Sequence, residues 1–73
     1  MMISTVHVYH SGGSPARGVR VVLGFSAGMT RPAYTDAYGR ALVGHATTGR
    51  ADVYISGQKH ANFHAPGTVA VTL

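Results

Sequence analysis

Residues 12–40 read GGSPARGVRVVLGFSAGMTRPAYTDAYGR, and this stretch places one alternating segment between two turns. The opening Gly-Gly-Ser-Pro consists of residues that dominate tight turns. In residues 18–25, large apolar side chains recur at every second position, which is the period of a half-buried β-strand. Asp36 and Gly39 occupy the first and fourth positions that a type I turn favours. The stretch therefore predicts antiparallel β-structure.

The remainder of the chain repeats this pattern of short alternating segments separated by turn residues. In residues 3–11, Val6 and Val8 point to one face and His7 and Tyr9 to the other. Turn signals about every 8 to 12 residues favour a sandwich or a barrel over a helical fold. We predict one all-β domain over residues 1–73, a seven-strand antiparallel β-sandwich with unpaired edge strands. The predicted strands are 3–11, 18–25, 33–35, 40–46, 50–56, 59–65 (the least regular of the set) and 68–73.

The composition is poor in charged residues. Only 11% of the residues are charged, less than half the roughly 25% of an ordinary soluble domain. The net charge of +4 comes from five arginines and one lysine spread along the chain. Nucleic-acid binding usually needs a basic patch interleaved with aromatic residues, so weak binding through dispersed arginines is only an alternative. A charge-poor surface instead predicts a homo-oligomer or a protein partner.

Targeting and cofactor signals are absent from the sequence. The chain has no cysteine, so a disulfide or a cysteine metal site is excluded. Residues 1–10, MMISTVHVYH, lack the basic start and the apolar run of a signal peptide. No apolar stretch is long enough to span a membrane. We therefore expect no membrane span, and cytoplasmic residence by default.

The order of four segments resembles the transthyretin-like superfamily. These segments are VHVY at 6–9, GSPARGV at 13–19, the alternating strand that follows, and TDAYGR at 35–40. The closing half, residues 50–57 and 67–73, is more similar to the carboxypeptidase regulatory-like branch, in which a final Val-x-Val-x-Leu strand follows a small-residue turn. This resemblance implies a non-catalytic β-sandwich module that acts through protein contacts or self-association.

One branch of the same superfamily is enzymatic, and it supplies an alternative. His7 matches the histidine of the first-strand His-Val motif of hydroxyisourate hydrolases, and Arg40 matches the arginine after their Asp-Gly turn. A histidine can serve as general base toward water while an arginine holds an anionic ligand. The chain departs from that branch at its end, however, because residues 68–73 read TVAVTL in place of the Tyr-Arg-Gly-Ser signature. The enzyme therefore remains an alternative reading.

Five histidines in a short chain raise the question of a metal site. His60 and His64 are four residues apart, which places both on one face of a helix or of a strand. Zinc needs at least three protein ligands, so His7, His10, His45 or Asp52 would have to supply the rest. We predict that these histidines are surface residues, with His60 and His64 as the metal alternative and no cofactor expected.

The predicted contact surface consists of side chains that point away from the proposed core. His7 and Tyr9 do so on the first strand, and Asp52 and Tyr54 on the strand 50–56; Val22 and Leu42 join them. Tyrosine offers a large contact area at low entropic cost and is enriched at interfaces. We therefore predict that Tyr9, Val22 and Tyr54 contact a partner.

Overall fold

The computed structural model describes residues 1–73 and contains β-strands without any helix. Consequently no helix of the structure is long and apolar enough to cross a membrane. Eight strands follow one another along the chain. They are β1 (Met2–Tyr9), β2 (Arg20–Phe25), β3 (Gly28–Met29), β4 (Ala33–Tyr34), β5 (Arg40–His45), β6 (Gly49–Ile55), β7 (Gln58–Ala65) and β8 (Thr68–Thr72).

The strands form two sheets. Sheet 1 has three strands in the order β5-β1-β8, with β1 antiparallel to β5 and parallel to β8. Sheet 2 has five strands, with the order β3-β2-β6-β7 and with β4 also paired to β2. All of its pairs are antiparallel. The chain therefore passes from one sheet to the other between β1 and β2, β4 and β5, β5 and β6, and β7 and β8.

One hydrophobic cluster joins the two sheets. Sheet 1 contributes side chains such as Val6 and Val43, and sheet 2 contributes Leu23 and Val53. β1, β2, β5 and β6 each supply alternate residues, because successive side chains of a strand point to opposite faces. The cluster has twelve buried members. They are Val6, Val8, Ala16, Val21, Leu23, Ala41, Val43, Ala51, Val53, Ile55, Ala65 and Val71.

The all-β prediction is confirmed, and the alternation predicted for the first strand matches its burial pattern. The prediction of a wholly antiparallel sandwich is wrong at one pair, because β1 and β8 are parallel. The strand count differs from the predicted seven because β3 lies in the link before β4. β3 and β4 pair with the same edge of β2, and the register shifts by one residue between them. Pro32 lies in this gap and has no N–H to donate to a ladder. The irregular segment at 59–65 belongs to a full strand, β7.

The turn at Asp36 fixes the entry into β5. The backbone N–H groups of Tyr38 and Arg40 donate to Asp36 Oδ1 at 2.9 and 3.0 Å, and the N–H of Gly39 donates to the Asp36 carbonyl oxygen at 3.0 Å. Gly39 has a φ of 77°, and an added Cβ would lie 2.5 Å from the carbonyl oxygen of Val8. The position therefore requires glycine both for its dihedral angle and for its close approach to β1.

We expect Gly39→Ala to destabilise the fold more than Gly18→Ala does. Both glycines have similar positive φ values, 77° and 70°, but nothing lies within 4 Å of a Cβ at Gly18. A left-handed alanine costs about 1–2 kcal/mol, which is the loss expected for Gly18→Ala. The clash with the Val8 carbonyl should bring the loss for Gly39→Ala to about 3 kcal/mol or more. Urea unfolding followed by tyrosine fluorescence measures both, and equal losses would contradict the clash.

Candidate functional site

The two sheets present their outer faces on opposite sides of the molecule. His7 and Tyr9 lie on β1 in sheet 1, whereas Asp52 and Tyr54 lie on β6 in sheet 2. The alternate residues of both strands enter the shared core. His7 and Tyr9 therefore point away from the core on one side of the molecule, and Asp52 and Tyr54 point away from it on the other side. The prediction that Tyr9 and Tyr54 share a single contact surface is therefore wrong. Each outer face has to be considered separately.

The outer face of sheet 1 brings His7 and Arg40 together. The two residues are directly opposite each other in the antiparallel pairing of β1 with β5. The His7 ring stacks on Tyr9, with centroids 6.3 Å apart and an interplanar angle of 11°. Farther along the same face, Ile3 and Leu42 are both at least 60% exposed. This face, defined by Ile3, Thr5, His7 and Tyr9 on β1 with Arg40 and Leu42 on β5, therefore combines two exposed aliphatic side chains with half-buried polar and aromatic ones.

The charge of Arg40 is offset locally. Its Nε lies 3.7 Å from Asp36 Oδ2, and its guanidinium carbon is 5.2 Å from the centre of the Tyr38 ring. The hydrogen bond from the Arg40 backbone N–H lowers the pKa of Asp36, helped by the N–H of Tyr38 and by the Arg40 charge and opposed by desolvation. The carboxylate is therefore held in its charged form, and sheet 1 presents little net charge.

Val22 is not available for contacts in the folded chain. It faces away from the core cluster, yet only 4% of it is exposed. Val22 lies directly opposite Tyr54 in the pairing of β2 with β6, and side chains of such a pair are neighbours on the same face. The prediction of Val22 as a partner-binding residue is corrected, because other parts of sheet 2 already cover it.

Tyr54 forms one wall of the chain's single cavity. Its ring lies across Gly24, where an added Cβ would be 2.8 Å from Tyr54 Cε2. The cavity has a volume of about 390 Å³ and lies on the outer face of sheet 2. Arg50 and Asp52 line it on the same strand as Tyr54, and Thr48 lines it from the connection between β5 and β6. Alternate residues of β6 therefore supply a cation, a carboxylate and an aromatic ring in a row.

The charged side chains of this cavity, Asp52 and Arg50, are only partly paired within the chain. Lys59 Nζ lies 3.4 Å from Asp52 Oδ1, but the geometry is not that of a hydrogen bond, and the buried Oδ1 has no hydrogen-bond partner. The side chain of Asp52 is 32% exposed, so its other oxygen faces the open side. The chain has only two acidic side chains. Because these pair with Arg40 and Lys59, Arg50 has no ion-pair partner.

A polar network runs from the turn before β8 through Ser4 and His45 to the connection after β5. The Nδ1 of His45 is 2.7 Å from the carbonyl oxygen of Thr47, which can only accept, so Nδ1 carries the proton. The Ser4 hydroxyl then donates to His45 Nε2 at 2.7 Å, and Ser4 Oγ accepts from the N–H of Gly67 at 3.3 Å. Ser4 is 0% and His45 6% exposed, so this serine-histidine pair cannot reach a substrate and is structural.

The remaining histidines do not assemble into a metal site. His60 and His64 are both exposed on β7, where His64 lies opposite Arg50. Lys59 pairs with Tyr54 and Ala61 pairs with Val53. His60 therefore lies at the register shift between these two pairs and has no partner residue on β6. No group of three or more histidine, cysteine, aspartate or glutamate side chains is close enough to hold a metal ion. The structure thus offers the pair no third ligand.

Comparison with protein-family models finds no match for this chain, and comparison with curated proteins finds none either.

The sequence did not predict two features of the structure. The first is the cavity at Arg50, Asp52 and Tyr54. The sequence indicated it only in that these three residues alternate along β6 and therefore share its outer face. The second is the Ser4–His45 network. Ser4 is in phase with the buried Val6 and Val8, and His45 with Ala41 and Val43, which predicts burial but not the partner.

We expect Ser4→Ala to destabilise the fold by about 1–3 kcal/mol, because it leaves the buried His45 Nε2 without a partner and removes the acceptor of the Gly67 N–H. Thr5→Ala is the matched control on the same strand. The Thr5 side chain is half-buried on the outer face, and its loss should cost about 0.5 kcal/mol or less. Urea unfolding monitored by circular dichroism provides the comparison. Similar losses in the two variants would show that the network does not contribute.

Proposed function

We propose that this chain is a non-catalytic β-sandwich module of the transthyretin-like, carboxypeptidase regulatory-like type, and that it self-associates through the outer face of sheet 1. The fold part of the proposal is supported by two sheets that share one core and by the position of β1 between β5 and β8. The count of seven strands follows if β3 and β4 are taken as one interrupted edge strand, because both pair with the same edge of β2.

The exposed apolar side chains of sheet 1 support the self-association. Ile3 lies opposite Gly44, and Leu42 opposite Thr5, so Ile3 and Leu42 are diagonal neighbours on the outer face. Both are at least 60% exposed. Exposed apolar patches on small soluble domains mark contact sites. The pair is the single observation on which this proposal chiefly depends.

The charge distribution favours a second copy of the chain as the occupant. The chain carries a net charge of +4, which opposes association in general. On the outer face of sheet 1, however, the only permanent charge is Arg40, and Asp36 offsets it. Charged residues are depleted from the cores of interfaces. Two such faces can therefore pack against each other with little repulsion, in the manner of stacked sheets about 10 Å apart.

The self-association is tested by adding a charge at Leu42. The wild-type sedimentation coefficient should rise with concentration through the micromolar range, and Leu42→Glu should weaken association at least about tenfold, because it buries an unpaired carboxylate. Tyr34→Glu is the control: Tyr34 is 62% exposed against 63% for Leu42, and it lies in sheet 2. Both changes alter the net charge equally. A wild-type monomer at every concentration, or equal effects of the two variants, would overturn the proposal.

A second candidate function is hydrolysis of the hydroxyisourate type. The observation that favours it is the pairing of His7 with Arg40 on an open face. Against it, Arg40 already contacts Asp36 and Tyr38, and the cavity lies on the opposite sheet. The nucleic-acid alternative gains less support, because Arg40 and Arg50 lie on opposite outer faces.

The enzyme candidate predicts hydroxyisourate turnover that depends on His7. His7→Ala should reduce turnover at least about a hundredfold if the imidazole is the general base, whereas His10→Ala, in the exposed turn after β1, should leave it unchanged. Ultraviolet absorbance of the substrate measures the rate. We expect no turnover by the wild-type protein, as the non-catalytic proposal requires.

A further inference from the structure

The cavity on sheet 2 has the size and the wall chemistry of a small-molecule site. Its volume of about 390 Å³ falls at the lower end of the roughly 300–1,000 Å³ typical of ligand pockets. Gly24 has no side chain, and the Tyr54 ring lies against the backbone there, where an added Cβ would be 2.8 Å from the ring. Met29 on β3 adds apolar surface at the rim.

One wall of the cavity is held in place by the buried network. Thr47 lines the cavity, and its carbonyl oxygen accepts the Nδ1 proton of His45 at 2.7 Å. His45 is in turn fixed by Ser4. The connection between β5 and β6 is therefore anchored to the core, and the cavity is preorganised on that side. A preorganised wall lowers the entropic cost of binding.

The polar groups of the cavity both donate and accept. Arg50 has only donors, and it lacks an ion-pair partner within the chain. Asp52 has only acceptors, and its exposed oxygen is free of the Lys59 contact, which is made by Oδ1. Thr47, Thr48 and Ser26 add hydroxyl groups that do both. A matching ligand therefore carries donors and acceptors side by side.

We propose that this cavity binds a neutral saccharide unit. Each sugar hydroxyl has one donor and two acceptor lone pairs, so neighbouring hydroxyls can donate to Asp52 and accept from Arg50 at the same time. The apolar C–H face of a sugar ring can pack on the Tyr54 ring, whose face is electron-rich. A phosphate or carboxylate ligand would suit Arg50 but would be repelled by the carboxylate of Asp52. The site is independent of the proposed assembly, because it lies on the other sheet.

Titration of ¹⁵N-labelled protein with sugars tests the site directly. The probes are glucose, galactose and N-acetylglucosamine, each with its disaccharide, maltose, lactose or chitobiose. The expected result is saturable shifts of the backbone amides at 24–26 and 47–54, with dissociation constants on the order of 1 mM for a ligand of this size. Tighter binding of a disaccharide identifies a polymer as the source, and equal binding identifies a free sugar.

Variants of the cavity separate this site from nonspecific contacts. Asp52→Asn should weaken binding about tenfold, because it removes a charged acceptor. Asp36→Asn, the same change at the only other acidic residue, should leave the dissociation constant unchanged. Gly24→Ala should also weaken binding, since its Cβ displaces the Tyr54 ring while every polar group remains. The spectra themselves report whether each variant is folded, and Arg50→Gln provides a further polar variant.

Two results would overturn the saccharide assignment. The first is the absence of saturable shifts around the cavity with every sugar of the panel in the folded wild-type protein. The second is preferential binding of inorganic phosphate that persists or strengthens in Asp52→Asn, which would identify an anion site centred on Arg50.

Discussion

The shared core between the two sheets is the constraint on which the rest of the structure depends. The chain has 73 residues and no cysteine, and a domain of this size buries only roughly 60% of the surface of its unfolded chain. The fully buried side chains are small, with Leu23 the largest and valines next. Every strand except the two-residue β3 gives one of its two faces to the core. Recognition is left to the outer faces, the edges and the turns.

Alternation in the sequence predicted which residues of a strand are buried together, but not which sheet the strand joins. Val6 and Val8 were assigned to the core in this way, and they lie there. The same reasoning grouped Tyr9 with Tyr54 because both point outward. The grouping fails because β1 and β6 belong to different sheets, and sheet membership depends on pairings between strands distant in sequence. The burial of Val22 was not predictable from alternation either, because it depends on residues of other strands, and Tyr54 on β6 lies opposite it.

The polar sites depend on register in the same way. That Arg50, Asp52 and Tyr54 share a face follows from their spacing along β6. That Gly24 lies beneath the Tyr54 ring depends on the pairing of β2 with β6, which no local pattern encodes. Likewise His45 reaches Ser4 only because β5 pairs with β1. Residue types along one strand were therefore predictable, whereas contacts between strands were not.

The two outer faces differ in a way that allows both proposals to hold at once. Sheet 1 presents Ile3 and Leu42 with little net charge, while sheet 2 presents the unpaired Arg50 beside Asp52. Two copies packed through sheet 1 would place their cavities on opposite sides of the dimer. Binding at two sites strengthens attachment only when both can be occupied together. Because the cavities face apart, such a dimer would bind two separate saccharide ligands rather than hold one ligand at two points.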